Sequence, residues 1–145
     1  MGQYTGNPVK FSAIAKHTRN TSSTQVNTIL AVCGATGTFT ASNNPKDLTM
    51  GMYSTTAGFG YYDTGMSFTS INRVNHTMPQ NTEYLLELEL RADNKMYGKI
   101  TRLSDSEVIF EATETIPFSI SNYYLALHQY ANGTASFREV KVKPL

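Results

Sequence analysis

Short runs of alternating apolar and polar residues fill most of this sequence, and clusters of Thr, Ser, Asn and Gly separate them. Alternation with a period of two is typical of a β-strand with one buried face, and such clusters are typical of turns. The pattern predicts an all-β domain of antiparallel strands, as in a sandwich or barrel. The predicted strands cover residues 9–18, 26–33, 48–54, 58–63, 82–92, 96–103, 107–112, 123–131 and 135–142.

Two segments of the sequence carry conflicting structural signals. EYLLELELRAD is rich in good helix formers, but its leucines and glutamates alternate, so the segment is predicted to be a strand. The turn signal DNK follows and predicts a hairpin. In the final strand, Phe137 and Val140 fall out of phase with each other. This slip predicts a β-bulge near Arg138 and Glu139.

The segment YYLALHQYA contains an unusual polar face. Its other face carries apolar core residues, whereas Tyr124, His128 and Tyr130 alternate with them. A solvated strand face would ordinarily carry lysines and glutamates. We interpret this face as an aromatic surface on the outside of the domain that meets a ligand.

Length and charge exclude several classes of protein. The chain has 145 residues, which predicts a single domain spanning residues 1–145. Its 12 basic and 11 acidic residues nearly cancel, so no electrostatic surface for nucleic acid or anionic lipid is expected. No apolar segment is long enough for membrane insertion, and the N-terminal residues lack the apolar stretch of a secretory signal peptide.

The sequence gives little support for a metal site or a catalytic nucleophile. Cys33 is the single cysteine, which excludes an intrachain disulfide, and its apolar surroundings predict a buried, inert thiol. The three histidines are far apart and match no metal-binding spacing. We therefore expect no cofactor; calcium binding stays open, although no calcium motif is present.

The second half of the chain resembles a known superfamily. The order YLLELELRADNKMYGKI, SEVIFEATE, YYLALHQYA and SFREVKVKPL resembles the C-terminal half of concanavalin A-like jelly rolls, which include legume lectins and laminin G-like modules. The resemblance covers roughly residues 82–145 and implies two curved antiparallel sheets, with ligands held on the concave sheet or its rim loops. The chain has no tryptophan, the side chain on which such lectins most often stack sugars.

The resemblance also raises the question of catalysis. Glu87 and Glu89 project from one strand face about 7 Å apart, near the spacing that retaining glycosidases use. The related jelly-roll glycosidases carry a third acid further along that strand, and Arg91 occupies its place here. We expect no enzyme activity and predict that these glutamates pair with Lys99 or Arg102 on the adjacent strand.

These observations predict a non-enzymatic recognition module on a virion or an extracellular surface. Its partner would be a glycan or a glycosylated receptor, and several copies in a homo-oligomer or particle lattice would supply avidity. One alternative is a structural decoration or assembly subunit of a capsid or fibre, and another is a jelly-roll glycosidase. The predicted ligand-binding residues are Tyr61, Tyr62, Asp63, Tyr124, His128, Tyr130 and Asn132.

Overall fold

The computed structural model describes residues 3–4, 7–18, 27–33, 46–53, 55–63, 67–120, 123–130 and 134–145. Among these residues, no helix has the length and apolar character that crossing a lipid bilayer requires. The strands are β1 (Gln3–Tyr4), β2 (Val9–Thr18), β3 (Asn27–Cys33), β4 (Asp47–Tyr53), β5 (Thr56–Tyr62), β6 (Phe68–Asn75), β7 (Glu83–Arg91), β8 (Lys95–Arg102), β9 (Glu107–Thr115), β10 (Tyr123–Tyr130) and β11 (Thr134–Pro144).

The strands form two sheets that pack face to face. Sheet A has the order β1-β10-β3-β4-β5-β6, and sheet B has the order β11-β2-β7-β8-β9. The paired neighbours for which a register is resolved run antiparallel. The prediction of an all-β, antiparallel two-sheet sandwich is therefore confirmed.

The inner faces of the two sheets enclose one hydrophobic core. Across it, the ring of Phe59 in sheet A meets the ring of Phe110 in sheet B nearly at a right angle, with centroids 5.2 Å apart. Each fully buried leucine stabilises the fold by about 1.5–3 kcal/mol. Strand β7 confirms the predicted alternation, and its buried side chains are Tyr84, Leu86, Leu88 and Leu90.

The two predicted interruptions of the strands are also confirmed. A tight turn at Ala92–Asn94 joins β7 to β8, with φ of 61° at Asp93 and 57° at Asn94, a conformation that Asp and Asn tolerate better than most residues. In β11 the register shifts between Arg138 and Lys141, with φ of 50° at Glu139. The strand therefore bulges where its hydrophobic pattern changes phase.

Each predicted strand forms within the described residues, although Val26, Ser54 and Ala131 at three of the predicted ends lie outside them; β6 and the short β1 were not predicted. β6 lies at the edge of sheet A, and its side chains are half-buried or exposed. Its inward-facing Asn72 donates a hydrogen bond of 2.6 Å to Glu114 of sheet B instead of packing as an apolar residue. An edge strand with a polar inward contact lacks the alternation from which strands are recognised.

The outer face of sheet A is buried at its centre. Ile29, Ala31 and Cys33, which alternate with the core residues of β3, are each 0% exposed. Strand β4 is buried at every position. Tyr124 and His128 pair in register with Cys33 and Ile29 and are only half-buried themselves. The predicted aromatic face along β10 therefore borders a strand that is buried on both of its faces.

Bulges interrupt each of the three long edge strands. The register leaves one extra residue in β6, Ile71, and one in β9, Ile109, and β11 contains its bulge at Glu139 and Val140. Bulges twist an edge away from the geometry that another strand needs for pairing. The edges formed by β6, β9 and β11 are therefore poor templates for sheet extension.

Replacing Leu88 by alanine should test the assignment of the two faces of β7. Leu88 is fully buried, so Leu88→Ala should lower the free energy of unfolding by about 2–5 kcal/mol in urea denaturation. The control is Leu85→Ala on the opposite, half-buried face of the same strand, for which a loss of about 1 kcal/mol is expected. Equal losses at the two positions would contradict the assignment.

Candidate ligand-binding site

The predicted ligand-binding residues lie at opposite ends of sheet A. Tyr61, Tyr62 and Asp63 lie at the end where β5 finishes, and Tyr124 at the start of β10 belongs to the same end. Tyr130 is the last residue of β10, about 20 Å from Tyr124 at the rise of an extended strand. Asn132 lies outside the described residues. The predicted set cannot form a single small-ligand site.

Tyr62 and Tyr124 share a row on the outer face of sheet A, but buried residues separate them. Tyr124 pairs with Cys33, and Tyr62 pairs with Asp47. Three strand spacings amount to about 14 Å. Cys33 and Asp47 lie between the two tyrosines and are 0% and 4% exposed. The tyrosines therefore flank a covered surface instead of forming one platform.

Tyr61 belongs to a group that we call the rim cluster, formed by Lys46, Tyr61, Asp63 and Phe118. The rings of Tyr61 and Phe118 meet edge to face with centroids 5.4 Å apart. The ammonium of Lys46 lies 5.1 Å from the centre of the Tyr61 ring and 3.9 Å from a carboxylate oxygen of Asp63. All four residues are half-buried, so the cluster presents aromatic, cationic and anionic groups at the rim of the sandwich.

The loop that carries Phe118 is held in place by hydrogen bonds. Asn94, in the turn between β7 and β8, donates through Nδ2 to the carbonyl of Ile116 at 2.8 Å and to that of Phe118 at 3.0 Å. The backbone N–H of Ile116 in turn donates to the carbonyl of Asn94 at 2.8 Å. These bonds fix one wall of the rim cluster. A turn in one sheet thus positions an aromatic ring against the other sheet.

Tyr62 points to the other face of β5 and belongs to a second group, the outer-face cluster of Tyr53, Tyr62, Phe68 and Arg73. The ring of Phe68 lies 5.0 Å from that of Tyr62 and 5.3 Å from that of Tyr53. The guanidinium carbon of Arg73 lies 3.5 Å from the centre of the Tyr53 ring and 4.1 Å from that of Phe68. Arg73 therefore contacts two aromatic rings that lie about at a right angle around its guanidinium group.

Gly60 makes room for the outer-face cluster. A Cβ atom at this position would lie 2.0 Å from the ring of Phe68, a distance that excludes any side chain without movement of that ring. Phe68 therefore lies against the backbone of β5. The glycine fixes how deeply the aromatic ring is seated.

Tyr53 anchors the cluster through a buried hydrogen-bond chain. Thr49 Oγ1 lies 3.1 Å from the carbonyl of Gly60, to which it donates, and 2.6 Å from the hydroxyl of Tyr53. A hydroxyl has one proton, so Tyr53 must donate to Thr49. Burial raises the pKa of Tyr53 to about 12, against the opposing effects of Thr49 and Arg73. Tyr53 is therefore a neutral, fixed support.

The remaining predicted residues lie apart from both clusters. Tyr124 and His128 are half-buried on β10, and burial lowers the pKa of His128 below its ordinary value. The imidazole is consequently neutral at pH 7. The structure brings together Tyr61, Tyr62 and Asp63 of the predicted set, and adds Lys46, Phe68, Arg73 and Phe118.

Sequence reasoning missed these added residues because each depends on strand register or loop placement. Phe118 follows a proline in a loop, and Phe68 and Arg73 lie on the strand that was not predicted. The one local signal was the run of glycines and aromatics in AGFGYY, which indicates rings lying close to a strand backbone.

The carboxylate pair of β7 is engaged in ion pairs. Lys10 of β2 lies 2.5 Å from Glu87 and 3.7 Å from Glu89, and Arg91 lies 2.6 Å from Glu89. The predicted pairing with Lys99 or Arg102 is therefore corrected, although Glu87 does stand opposite Lys99 in register. The partner comes from β2 because that strand flanks β7 on its other side.

The described residues show no assembled metal or thiol chemistry. Within the described ranges, no group of three or more His, Cys, Asp and Glu side chains could hold a metal ion. Burial, with a smaller contribution from Asp47, raises the pKa of the Cys33 thiol to about 12. The thiol is protonated and buried, which confirms the prediction of an inert cysteine.

Comparison of the chain with family models, curated proteins and solved structures gave no match. The candidate site therefore has to be interpreted from its own geometry.

Replacing Gly60 by valine should disrupt the outer-face cluster. The new side chain would collide with Phe68, so Gly60→Val should lower the free energy of unfolding by about 1–3 kcal/mol and change the tyrosine signal in near-ultraviolet circular dichroism. Ser70→Val is the control, because Ser70 pairs directly with Gly60 and is exposed. The packing described here is wrong if the two variants behave alike.

Proposed function

We propose that this domain is a non-catalytic recognition module that binds a saccharide at the corner formed by the ends of β5 and β6. The observation that carries the proposal is the joining of half-exposed rings with charged groups at one rim: Tyr61 and Phe118 with Lys46 and Asp63, continuing into Tyr62 and Phe68. A glycan or a glycosylated receptor is the proposed partner.

The chemistry of the rim cluster suits a sugar. Aromatic rings pack on the apolar C–H face of a pyranose, and carboxylate and ammonium groups bond its hydroxyls. The pair of Lys46 and Asp63 is solvent-exposed, with an N–O distance of 3.9 Å, and such pairs contribute only about 0–1 kcal/mol to stability. The weak pair therefore leaves the ammonium of Lys46 able to bond a hydroxyl group of a ligand.

The residues that support the two clusters are held in place by hydrogen bonds, which favours ligand binding. Asn94 holds the loop of Phe118, and Thr49 holds Tyr53 beneath the outer-face cluster. Groups that are fixed before binding lose little conformational entropy on binding. The corner of β5 and β6 is thus the best-supported part of the predicted site.

The proposal includes the place where the domain is displayed and the number of its copies. A concanavalin A-like jelly roll displayed on a virion or an extracellular surface would present this corner outward, and several copies would supply avidity for a weak single site. No catalytic role is proposed, and the glutamates of β7 support this choice because Lys10 and Arg91 pair with them.

Binding to a glycan array should identify the site. Phe118→Ala and Tyr62→Ala should each weaken binding about 10-fold, which corresponds to about 1.4 kcal/mol for a lost aromatic contact. Tyr97→Ala is the matched control, because Tyr97 is a half-buried tyrosine on the outer face of sheet B. Tyr124→Ala tests the predicted surface on β10 in the same assay.

The results separate the two surfaces. Loss of binding with Tyr124→Ala and not with Phe118→Ala or Tyr62→Ala would move the site to β10. Absence of binding to every glycan by the unchanged protein would remove the proposal.

A second candidate is an assembly subunit that packs against its own copies. It is favoured by three exposed apolar side chains in the last six residues of the sequence: Val140 (42% exposed) and Val142 (49%) in β11, and Leu145 (56%) directly after it. Exposed apolar groups that lie close together mark contact surfaces more often than scattered ones do. The bulge in β11 disfavours contact by strand pairing, so packing of side chains is the proposed mode.

Light scattering should test the assembly candidate. An assembly subunit should give a multiple of the monomer mass, and Val142→Lys should shift it to the monomer. Val108→Lys is the matched control, because Val108 is 44% exposed at the opposite edge of sheet B. A monomeric mass for the unchanged protein at high concentration would reject this candidate.

A further inference from the structure

Arg73 differs from the other arginines of the described chain in its surroundings. Arg91, Arg102 and Arg138 each contact a carboxylate. Arg73 contacts none, and the described ranges include every acidic residue of the sequence. Its contacts are instead the rings of Tyr53 and Phe68. A half-buried guanidinium is thus held in place by rings and without a counter-charge.

The rings beside Arg73 leave part of its guanidinium group open for hydrogen bonding. The guanidinium is planar, and its five N–H donors all lie in that plane. The centres of the Tyr53 and Phe68 rings lie 3.5 Å and 4.1 Å from the guanidinium carbon and 5.3 Å from each other, so the rings lie about at a right angle around it and leave its opposite side uncovered by either ring. Rings hold the plane in a fixed orientation, which lowers the entropy lost when an oxyanion binds.

One of these donors, Nε, has no partner among the described residues. Nε of Arg73 is also buried. A buried donor without an acceptor is costly, and the bond to a charged acceptor is about twice as strong as a neutral one. Nε itself is out of a ligand's reach, so an oxyanion would bond to a terminal nitrogen of Arg73 and supply the missing counter-charge.

We propose that Arg73 is the anion-binding centre of the site and that the ligand is an acidic saccharide, with a carboxylate or sulfate on a sugar ring. This inference rests on the proposed function and narrows its ligand class. Phe68 contacts both Arg73 and Tyr62, so a sugar whose anion meets Arg73 would place its ring over the outer-face cluster. Neutral glycans would use the aromatic rings alone.

The first test follows the Nε–Hε resonance of Arg73 by NMR in the unchanged protein. Titration uses N-acetylneuraminate, methyl glucuronide, a 6-sulfated galactoside, the neutral methyl galactoside and inorganic sulfate. The acidic sugars should shift the Arg73 resonance in a saturable way, and the neutral sugar should not. Arg91 is the internal reference, because it lies over the Tyr97 ring at 4.6 Å and already has Glu89 as its partner.

The second test compares variants on acidic and neutral glycans. Arg73→Lys keeps the charge and loses the planar fork, and Arg73→Gln loses both. Each should reduce binding of acidic glycans about 10-fold or more while leaving neutral glycans within about 2-fold. Arg91→Gln should change neither. Urea denaturation of each variant separates an unfolded protein from a specific loss.

Each outcome bears on one of the two proposals. Unshifted Arg73 in the presence of every anion would overturn the anion site, whatever the glycan array shows. Inorganic sulfate that binds as tightly as the acidic sugars would show that the site holds an anion without recognising its sugar, and would overturn the ligand class. An Arg73 shift with free acidic sugars, combined with no binding of any oligosaccharide, would leave the anion site standing and remove the proposed recognition of glycans.

Discussion

Burial of the central strands of sheet A on both faces is the constraint on which the rest of this structure depends. Strand β4 is buried at every position, and the outward-facing residues of β3 are as inaccessible as its core residues. A sheet with a covered centre can meet a partner only at its ends and edges. The half-exposed aromatic side chains are accordingly found at the rim and near the edge strand β6.

At the corner of β5 and β6, two consecutive tyrosines point to opposite faces of the sheet. Tyr61 turns toward the loop of Phe118, and Tyr62 turns to the outer face and contacts Phe68. One strand end thus supplies two aromatic groups on two surfaces. The accompanying cations differ as well: Lys46 has the carboxylate of Asp63 beside it, whereas Arg73 has rings only. The corner therefore combines a neutralised part with a part that lacks a counter-charge.

The sequence predicts those features of the fold that depend on local alternation. Strand β7 was identified against its helix propensity because each leucine of one parity is buried in the core, and the bulge of β11 was identified because Phe137 and Val140 cannot share a face. Strand β6 escaped prediction because its inward-facing Asn72 bonds to Glu114 instead of packing as an apolar group. The period of hydrophobic residues alone does not reveal a strand whose inward-facing side chain is polar.

The candidate site was only partly predictable because its assembly depends on register. Tyr61, Tyr62 and Asp63 are adjacent in sequence and could be grouped, whereas Lys46 and Phe118 reach them from other elements. The aromatic surface along β10 stays a prediction. Its tyrosines suggested exposure, but the uninterrupted apolar run TILAVC of the neighbouring β3 is typical of a strand buried on both faces. Considering the two strands together would have predicted the covered surface of β3 beside it.

The shape of the sheet edges determines whether the domain can contact a partner by strand pairing or through side chains. Extension of a sheet needs a straight strand with regularly spaced free N–H and C=O groups, and β6, β9 and β11 each depart from this through a bulge. Lys141 and Lys143 add positive charge along β11, which further opposes pairing of two copies of this edge. At these three edges contacts through side chains are left, and the apolar end of β11 and the aromatic corner offer them. Within the described part of the chain, only the corner joins rings, a carboxylate and an arginine without a counter-charge, and that combination suits a polar ligand with an apolar face better than a second copy of the same surface.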